Sequence, residues 1–234
     1  MTVLSRLQLN SRSRDARRDL GDCDQMHRTV MNAFPSDAGN SPRQRYGVLY
    51  RVETDSRGSP LLLLQSSISP DWSHLRDGYL VSAPESKNVG MIYERLADSQ
   101  RLVFRLRANA TKRASKREED PRWHGKRVDL RSEEDQLRWL ERKASEEGFG
   151  LVQVRIRHGL NGAELPDIPS VTAVPAQKVL GRRGGEDGSR LSFGSVLFDG
   201  LLEIADRNRF LGALTRGIGP GKAYGFGLLS IAPA

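Results

Sequence analysis

The sequence contains little cysteine, few aromatic residues and no long apolar run. Cys23 is the one cysteine among 234 residues, which excludes an intramolecular disulfide and a cysteine-rich zinc site. No apolar run approaches the ~18 residues that a membrane-spanning helix needs. The opening MTVLSRLQLNSRSR also lacks the apolar core of a signal peptide. We therefore expect a soluble, cytoplasmic protein.

Positive charge dominates the composition. Lysine and arginine number 37 against 29 acidic residues, which gives a net charge of +8. Such a surface attracts polyanions, so nucleic acid or an acidic membrane surface is the expected class of partner. Aromatic residues make up only 6% of the chain. Stacking of single-stranded bases on aromatic side chains is therefore a poor source of affinity.

The first half of the sequence predicts several strands and one helix. Asp22 or Asp24 can cap that helix, and Pro35 ends it. The segment before it, SRSRDARRDLGD, has the composition of a basic, turn-rich connection. The predicted elements are strand Val3–Leu9, helix Asp22–Phe34, and strands Tyr46–Glu53, Leu61–Ser67 and Arg101–Asn109. This order of elements is most of a ferredoxin-like unit.

The second half predicts another unit of mixed helices and strands. Ser132 and Asp135 form a capping box that starts its first helix, after a charged loop at 111–127. The predicted elements are helix Ser132–Gly148, strand Phe149–Gly159, a hairpin over Val171–Gly200, strand Gly200–Asp206, helix Arg207–Arg216 and strand Ala223–Pro233. Two units fit this order better than one large fold, and a boundary in the charged loop gives domains 1–118 and 119–234.

A glycine-rich segment, TRGIGPGKAYGFGLLSIAP, spans residues 215–233. Phosphate-binding glycine loops lead from a strand into a helix, whereas this segment follows a helix and leads into a strand. A P-loop would also need glycine and a hydroxyl residue where Arg216 and Ala223 stand, so nucleotide hydrolysis is excluded. One interpretation is a turn that caps the helix at Gly217. The other is a loop whose bare backbone lies against a polyanion, through Gly219, Gly221, Lys222 and Arg216.

His27 is the residue best suited to acid–base chemistry. It lies on the predicted first helix, followed by Arg28 and preceded one turn earlier by Asp24. An imidazole with a pKa of about 6.5 can accept the proton of a ribose 2′-hydroxyl or donate one to a leaving 5′-oxygen. No carboxylate cluster has metal-ligand spacing, so we expect neither a two-metal nuclease nor another cofactor. The alternative is a histidine that only packs or hydrogen-bonds within its helix.

Several motifs, in order along nearly the whole chain, resemble one family. They are LSRLQLN, QMHRTVMNAFP, PDWSHL, FRLRANATKR with GKRV, and GIGPGKAYGFGLLSIAP. Together they resemble the CRISPR repeat-RNA endoribonuclease of type I-E systems, the Cascade subunit often called CasE. The resemblance implies an α+β fold of two tandem ferredoxin-like (RRM-like) domains with antiparallel sheets, which agrees with the order of elements above.

The resemblance also implies an activity. Members of this family bind the stem-loop of the CRISPR repeat and cut precursor crRNA once, at the base of the stem, without a metal ion. Attack by the 2′-hydroxyl leaves 2′,3′-cyclic phosphate and 5′-hydroxyl ends, and the product stays bound in Cascade. The implied partners are the repeat RNA and the other Cascade subunits, with no membrane and no small-molecule substrate.

The family's catalytic histidine, in its M-H-R-T motif, falls on His27, and Arg28 keeps the adjacent basic position. Two nearby positions depart from the family. Asp24 stands where a tyrosine is frequent, and Asn32 stands where some members have lysine. We expect Asp24 to hydrogen-bond the imidazole and to raise its pKa, which would favour proton donation by His27.

Positive residues on hairpins and loops are the expected RNA contacts, because A-form stems are held mainly through phosphates and shape. The candidates are Lys178, Arg182, Arg183 and Arg190 at the predicted hairpin tip, then Arg105, Arg107, Lys112, Arg113, Lys126 and Arg127, and finally Lys222 with Gly219 and Gly221. The alternative for each charged residue is an ordinary solvated surface charge.

Two other functions remain open at the level of sequence. The first is a non-catalytic RNA-binding or scaffold subunit of a ribonucleoprotein complex, with the same paired domains and a structural His27. The second is a basic protein associated with ribosomes or DNA.

Overall fold

The chain has an α+β fold with two main antiparallel sheets. The computed structural model describes residues 1–36, 39, 41–114, 124–154, 167–184 and 188–234. The strands are β1 (Val3–Gln8), β2 (Leu49–Thr54), β3 (Pro60–Ser66), β4 (Glu85–Asn88), β5 (Arg101–Ala108), β6 (Thr111–Arg113), β7 (Arg127–Asp129), β8 (Phe149–Leu151), β9 (Gln153–Val154), β10 (Ile168–Pro169), β11 (Val171–Arg182), β12 (Arg190–Ile204) and β13 (Leu229–Pro233). The helices are α1 (Arg14–Gly21), α2 (Cys23–Met31), α3 (Pro42–Arg45), α4 (Gly90–Glu94), α5 (Glu133–Glu146) and α6 (Arg207–Arg216), with a 3-10 helix at Lys222–Tyr224. None of the helices in these ranges has the length and apolar character needed to cross a membrane.

The first sheet has the strand order β2-β3-β1-β4, and α2 packs on it. Met26 and Val30 lie one turn apart on α2 and are both buried. They belong to one core cluster with Leu7 of β1 and with Leu62 and Leu64 of β3. This packing fixes the helix on the sheet through one face and leaves its other faces available for a site.

The segment predicted as a turn-rich connection is instead helix α1. Ser13 caps this helix by accepting a hydrogen bond from the backbone N–H of Ala16. The buried Asp19 accepts hydrogen bonds from the hydroxyl groups of Thr29 and Tyr79. The hydrophobic pattern does not reveal α1, because a buried carboxylate stands where an apolar side chain is usual.

The second sheet has the strand order β11-β12-β5-β13, and β8 pairs with the end of β12 beyond β11. Helices α5 and α6 pack on this sheet. Trp139 and Leu140 of α5 and Phe210 of α6 share its core with Phe104 and Phe198. The long hairpin of β11 and β12 and the two helices confirm the corresponding predictions.

The prediction that Arg101–Asn109 completes the first unit is wrong. This strand is β5, which lies between β12 and β13 and is antiparallel to both. Its alternate residues Leu102, Phe104 and Leu106 are buried in the core of the second sheet. The fourth strand of the first sheet is β4, whose sequence ESKN contains no apolar residue and so gives no periodic signal. The predicted boundary between residues 118 and 119 lies outside the described residues.

Three strands predicted in the second half differ in extent. The predicted strand Phe149–Gly159 is divided into β8 and β9, and its residues from 155 onward lie outside the described residues. The second arm of the hairpin and the predicted strand Gly200–Asp206 merge into β12. The last strand is shorter than predicted, because the 3-10 helix and two glycines with positive φ, Gly225 and Gly227, precede β13.

Buried polar contacts join the two sheets. Arg51 of β2 is 1% exposed, and it donates hydrogen bonds to the carbonyl oxygen of Leu228 at 2.9 Å and to Oγ of Ser230 at 3.0 Å. Gln65 of β3 donates to the carbonyl oxygen of Leu214 at 2.6 Å. The first sheet is therefore linked to the residue before the glycine-rich segment and to two residues within it.

Candidate active site

Helix α2 places His27 where the two halves of the chain meet. Asp22 caps the helix, because its Oδ1 atom accepts hydrogen bonds from the backbone N–H groups of Asp24 and Gln25. The His27 ring is half-buried and lies edge-on to the ring of Tyr224 in the 3-10 helix, with 6.1 Å between the ring centres. Its Nδ1 atom is buried and has no hydrogen-bond partner in the described ranges. The histidine thus comes from the first sheet's helix, and one wall of its site comes from the glycine-rich segment.

The pKa of His27 is lowered from its ordinary value of 6.5. Burial is the largest cause, since a partly dry environment disfavours the charged imidazolium. The negative charge of Asp24 opposes this effect, while the positive charges of Arg43 and Arg28 add to it. His27 is therefore neutral at physiological pH and able to accept a proton.

Asp24 does not have the predicted contact. Among the described residues, the partners of its Oδ2 atom are Nε of Arg28 at 3.0 Å and the backbone N–H of Gly184 at 3.2 Å, and His27 is not one of them. The prediction that Asp24 hydrogen-bonds the imidazole is wrong. So is the prediction of a raised pKa, because burial of the ring outweighs the charge of Asp24.

Two half-buried cations lie near this site. Arg43 of α3 donates a hydrogen bond to the carbonyl oxygen of Val48 at 3.2 Å, and burial lowers its pKa. Lys222 of the 3-10 helix also has a lowered pKa, chiefly through burial and then through the charge of Arg43. Neither cation has a carboxylate at ion-pairing distance among the residues that the structure describes. An incoming phosphate would relieve this accumulation of positive charge.

Cys23 does not offer a second nucleophile beside His27. Burial, together with the charges of Asp22 and Asp24, raises the pKa of its thiol to about 11, so little thiolate exists at neutral pH. Within the described part of the chain, no group of three or more His, Cys, Asp or Glu side chains is arranged to hold a metal ion.

Arg105 and Arg107, both predicted RNA contacts, are occupied by acceptors within the protein. Arg105 donates to both carboxylate oxygens of Asp199, at 2.6 and 3.2 Å. Arg107 donates to Oγ of Ser195 at 2.7 Å and to the carbonyl oxygens of Val52 and Gln177. Both arginines line a cleft of about 500 Å³ between the two sheets. Arg107 is half-buried, whereas Arg105 is exposed although it is paired with Asp199.

The other predicted basic contacts lie on two hairpins and are exposed. Lys112, Arg113, Lys126 and Arg127 lie on the β6–β7 hairpin, whereas Lys178, Arg182, Arg183 and Arg190 lie on the β11–β12 hairpin. The second hairpin reaches the helix that carries His27, because the backbone N–H of Arg182 donates to the capping carboxylate of Asp22 at 3.2 Å. The structure therefore brings the β11–β12 hairpin to the N-terminus of α2.

The glycine-rich segment packs against protein at two of its predicted RNA contacts. Gly219 and Gly221 have φ of 78° and 75°, which favours glycine. A Cβ atom at Gly219 would lie 2.9 Å from the Trp139 ring, and one at Gly221 would lie 2.8 Å from the Phe226 ring. The backbone that the sequence predicts to face a polyanion thus faces aromatic side chains on these sides.

Comparison with known proteins identifies the family. The family described as "CRISPR associated protein" matches residues 3–233. The chain belongs to this family. The CRISPR-associated endoribonuclease Cse3 of Thermus thermophilus is 40% identical over 232 residues, 98% of this chain and 99% of Cse3. The Cascade subunit CasE of Escherichia coli is 30% identical over 219 residues, 91% of this chain and 92% of CasE.

Solved structures of CRISPR-associated proteins are similar over the full length. Cse3 bound to a 19 nt RNA matches with a TM-score of 0.76 and 39% identity, covering 99% of this chain and 100% of Cse3. Cas6e of Escherichia coli matches with a TM-score of 0.65 and 25% identity, covering 100% of both chains. The resemblance of the sequence motifs to the CRISPR repeat-RNA endoribonucleases is confirmed, and so is the α+β fold with antiparallel sheets.

Sequence reasoning on this CRISPR-associated protein missed Arg43 and Tyr224. Arg43 belongs to a four-residue helix, PRQR, which is too short to show apolar periodicity. Tyr224 lies in the motif GKAYGFG, but its contact with His27 depends on how the two halves of the chain pack. Lys222, which lies near the site, is the residue that the sequence analysis did select from this motif.

Proposed function

We propose that this CRISPR-associated protein is a metal-independent endoribonuclease that binds the CRISPR repeat stem-loop and cuts precursor crRNA at the base of the stem. The observation that carries the proposal is the half-buried His27, neutral at physiological pH, beside Arg43 and Lys222, which have no carboxylate at ion-pairing distance among the described residues. Cse3, a relative similar over its full length, is named an endoribonuclease and has been solved with RNA. RNA carries its own nucleophile, so one histidine is sufficient as a base.

The proposed reaction is attack of a ribose 2′-hydroxyl on the adjacent phosphorus. Neutral His27 accepts the hydroxyl proton while the new O–P bond forms and the bond to the 5′-oxygen breaks. The leaving oxygen takes up a proton, which the newly formed imidazolium is able to return. The products are a 2′,3′-cyclic phosphate and a 5′-hydroxyl. The lowered pKa of His27 favours the base role at neutral pH, because the reactive form is already populated.

Arg43 and Lys222 are the proposed contacts of the reacting phosphate. Negative charge grows on the phosphoryl oxygens in the transition state, and cations in a partly dry site stabilise it more strongly than in water. Asn32 stands where some family members have lysine. Arg43 from α3 and Lys222 from the 3-10 helix would supply positive charge from other elements. Arg28, half exposed and paired with Asp24, is the proposed basic neighbour of His27.

We propose that the two basic hairpins bind the RNA stem. The exposed charges of β11–β12 adjoin the helix that carries His27, so a stem bound there presents its base to the site. Contacts of this kind are made mainly with phosphates and fall steeply with salt concentration. CasE, the relative from Escherichia coli, is named a Cascade subunit. We extend this to the present protein and propose that it stays bound to its product within Cascade.

We also propose that the two units are tandem ferredoxin-like domains. In the first sheet the order β2-β3-β1-β4 places the first strand between the third and the fourth. If the second unit begins at β5, the order β11-β12-β5-β13 has the same arrangement, with α5 and α6 as its two helices. This division begins the second domain at Arg101 and not at residue 119.

Cleavage of labelled cognate repeat RNA in EDTA tests the proposed function. We expect one cut by the wild-type protein, and His27→Ala should lower the single-turnover rate by about 10²–10⁴-fold, the usual worth of a general base. A 2′-deoxy substitution at the target nucleotide should stop cleavage and spare binding. Tight binding with no cutting would support the alternative, a non-catalytic RNA-binding subunit. Cutting that EDTA abolishes, or that His27→Ala retains, would contradict the proposal.

A further inference from the structure

Two carboxylates at the start of α2 hold the β11–β12 hairpin. Asp22 accepts the backbone N–H of Arg182 at 3.2 Å, and Asp24 accepts the backbone N–H of Gly184 at 3.2 Å. The same Oδ2 atom of Asp24 pairs with Nε of Arg28 at 3.0 Å. Asp24 is buried, at 8% exposure, although it is charged. The Asp24 carboxylate therefore binds the backbone N–H of Gly184 on the hairpin and the side chain of Arg28, the residue next to His27.

Two glycines on the hairpin, which have no side chains, allow this close contact. A Cβ atom at Gly181 would lie 2.7 Å from Sγ of Cys23, at the first residue of α2. A Cβ atom at Gly184 would overlap the guanidinium group of Arg28. Any other residue at either position must displace the hairpin or the helix side chains. The position of the hairpin on α2 is thus fixed by close contacts of the glycine backbone and by hydrogen bonds to the two carboxylates.

We propose that Asp24 is a positioning residue that couples the stem-binding β11–β12 hairpin to the helix that carries His27. The inference rests on the proposed function, since it concerns how the bound stem and the histidine keep a fixed relation. Asp22 and Asp24 differ in a way that makes the idea testable. Asp22 also caps α2 through the N–H groups of Asp24 and Gln25, so its replacement threatens the helix itself. The Asp24 side chain caps nothing, and its variants should fold.

The coupling has a signature in the pH profile. The charged groups that act on His27 are Asp24 and Arg28 on its own helix and Arg43 on α3, and Lys222 on the 3-10 helix lies near Arg43. The charge of Asp24 raises the pKa of His27 against the effect of burial. Removing that charge should move the acid limb of the rate profile to lower pH. A substitution that merely loosened the fold would not move the acid limb of the rate profile to lower pH.

Single-turnover cleavage at saturating repeat RNA, with binding measured on the 2′-deoxy substrate, tests Asp24. We expect Asp24→Ala to lower the rate constant by about 10²-fold, the usual effect of misplacing a reacting group by about 1 Å. Its Kd should change by less than about threefold. Asp24→Asn keeps an oxygen for the N–H of Gly184, so it should recover most of the rate while its acid limb moves to lower pH. Asp15→Ala is the matched control, because Asp15 of α1 pairs with Arg18 and Arg76 instead.

The outcomes separate this inference from the proposed function. If wild-type protein binds the RNA but does not cut it, the proposed function fails. If the wild type cuts and Asp24→Ala cuts equally fast at saturation, Asp24 does not position His27. Weaker binding with an unchanged rate constant would overturn the inference. So would an Asp24→Asn variant that cuts as slowly as Asp24→Ala and whose acid limb does not move. An equal loss in Asp15→Ala would show a general effect of losing a helix carboxylate.

Discussion

His27 illustrates how a single side chain depends on distant parts of the chain. Its helix, its cap and its basic neighbour Arg28 can all be predicted from the local sequence. The direction of its pKa cannot, because Tyr224 and Arg43 approach it only in the folded protein. The sequence therefore predicts a proton donor beside Asp24, whereas the structure has a neutral imidazole whose partial burial outweighs the carboxylate.

Titration of His27 by nuclear magnetic resonance measures this balance. In the free wild-type protein we expect a midpoint below 6.5. Arg43→Gln removes a positive neighbour and should move the midpoint up, whereas Asp24→Asn removes a negative neighbour and should move it down. Lys87→Gln, which removes an exposed charge of β4, is the control that should leave it unchanged. A midpoint at or above 6.5 in the free wild type would show that burial does not govern this residue.

The same shift links the stability of the protein to pH. Unfolded His27 binds a proton near 6.5, while the folded residue binds it only at lower pH. Between these two values the unfolded state holds more protons, so stability declines as the pH falls through that window. The slope of unfolding free energy against pH should be smaller in His27→Ala than in the wild type.

At the scale of elements, prediction succeeds where packing is regular and fails where polar residues replace apolar ones. β1, β2, α2, α5 and α6 have apolar periodicity, β3 contains a run of four leucines, and each is present. Helix α1 is hidden because the buried Asp19 takes an apolar position. Strand β4 is hidden because all four of its residues are exposed. β5 is recognised as a strand but placed in the wrong sheet, since periodicity shows which residues are buried and not against what.

Gly219 of the glycine-rich segment can be compared with Gly58, which lies between β2 and β3 and has nearly the same positive φ. Gly219 and Gly58 have φ of 78° and 77°, but a Cβ atom at Gly219 would lie 2.9 Å from Trp139 while one at Gly58 would meet nothing within 4 Å. Alanine at Gly58 should cost about 1 kcal/mol, the usual left-handed penalty. Alanine at Gly219 should cost about 1–3 kcal/mol more through overpacking.

Urea unfolding of both alanine variants measures the two costs. RNA affinity should be equal in the two once each variant is folded. Equal stabilities together with weakened RNA binding by Gly219→Ala would show instead that this glycine faces the RNA.

At the scale of the whole molecule, Arg51 fastens one sheet to the other. Its guanidinium is buried, pairs with Glu53, and donates to Leu228 and Ser230 across the interface. Arg51→Ala removes these contacts and leaves Glu53, with a side chain 17% exposed, with the more distant Arg105 at 3.8 Å in place of its buried partner. We expect the free energy of unfolding to fall by about 3–5 kcal/mol.

The pair of Arg101 and Glu203 provides a matched surface control. Their side chains are 64% and 42% exposed, so Arg101→Ala should cost less than about 1 kcal/mol. Urea unfolding monitored by tryptophan fluorescence gives both values. A cost for Arg51→Ala no larger than that for Arg101→Ala would mean that the interface between the sheets does not depend on this residue.

The contact between His27 and Tyr224 joins two residues that the ribosome synthesises at very different times. His27 emerges from the ribosome early, with the helix and sheet that support it. Its wall of Lys222–Tyr224 and the acceptors of Arg51 at Leu228 and Ser230 emerge only much later. A nascent chain therefore displays the histidine without a site around it. The site would therefore be incomplete, and RNA cleavage prevented, until the ribosome has synthesised the glycine-rich segment.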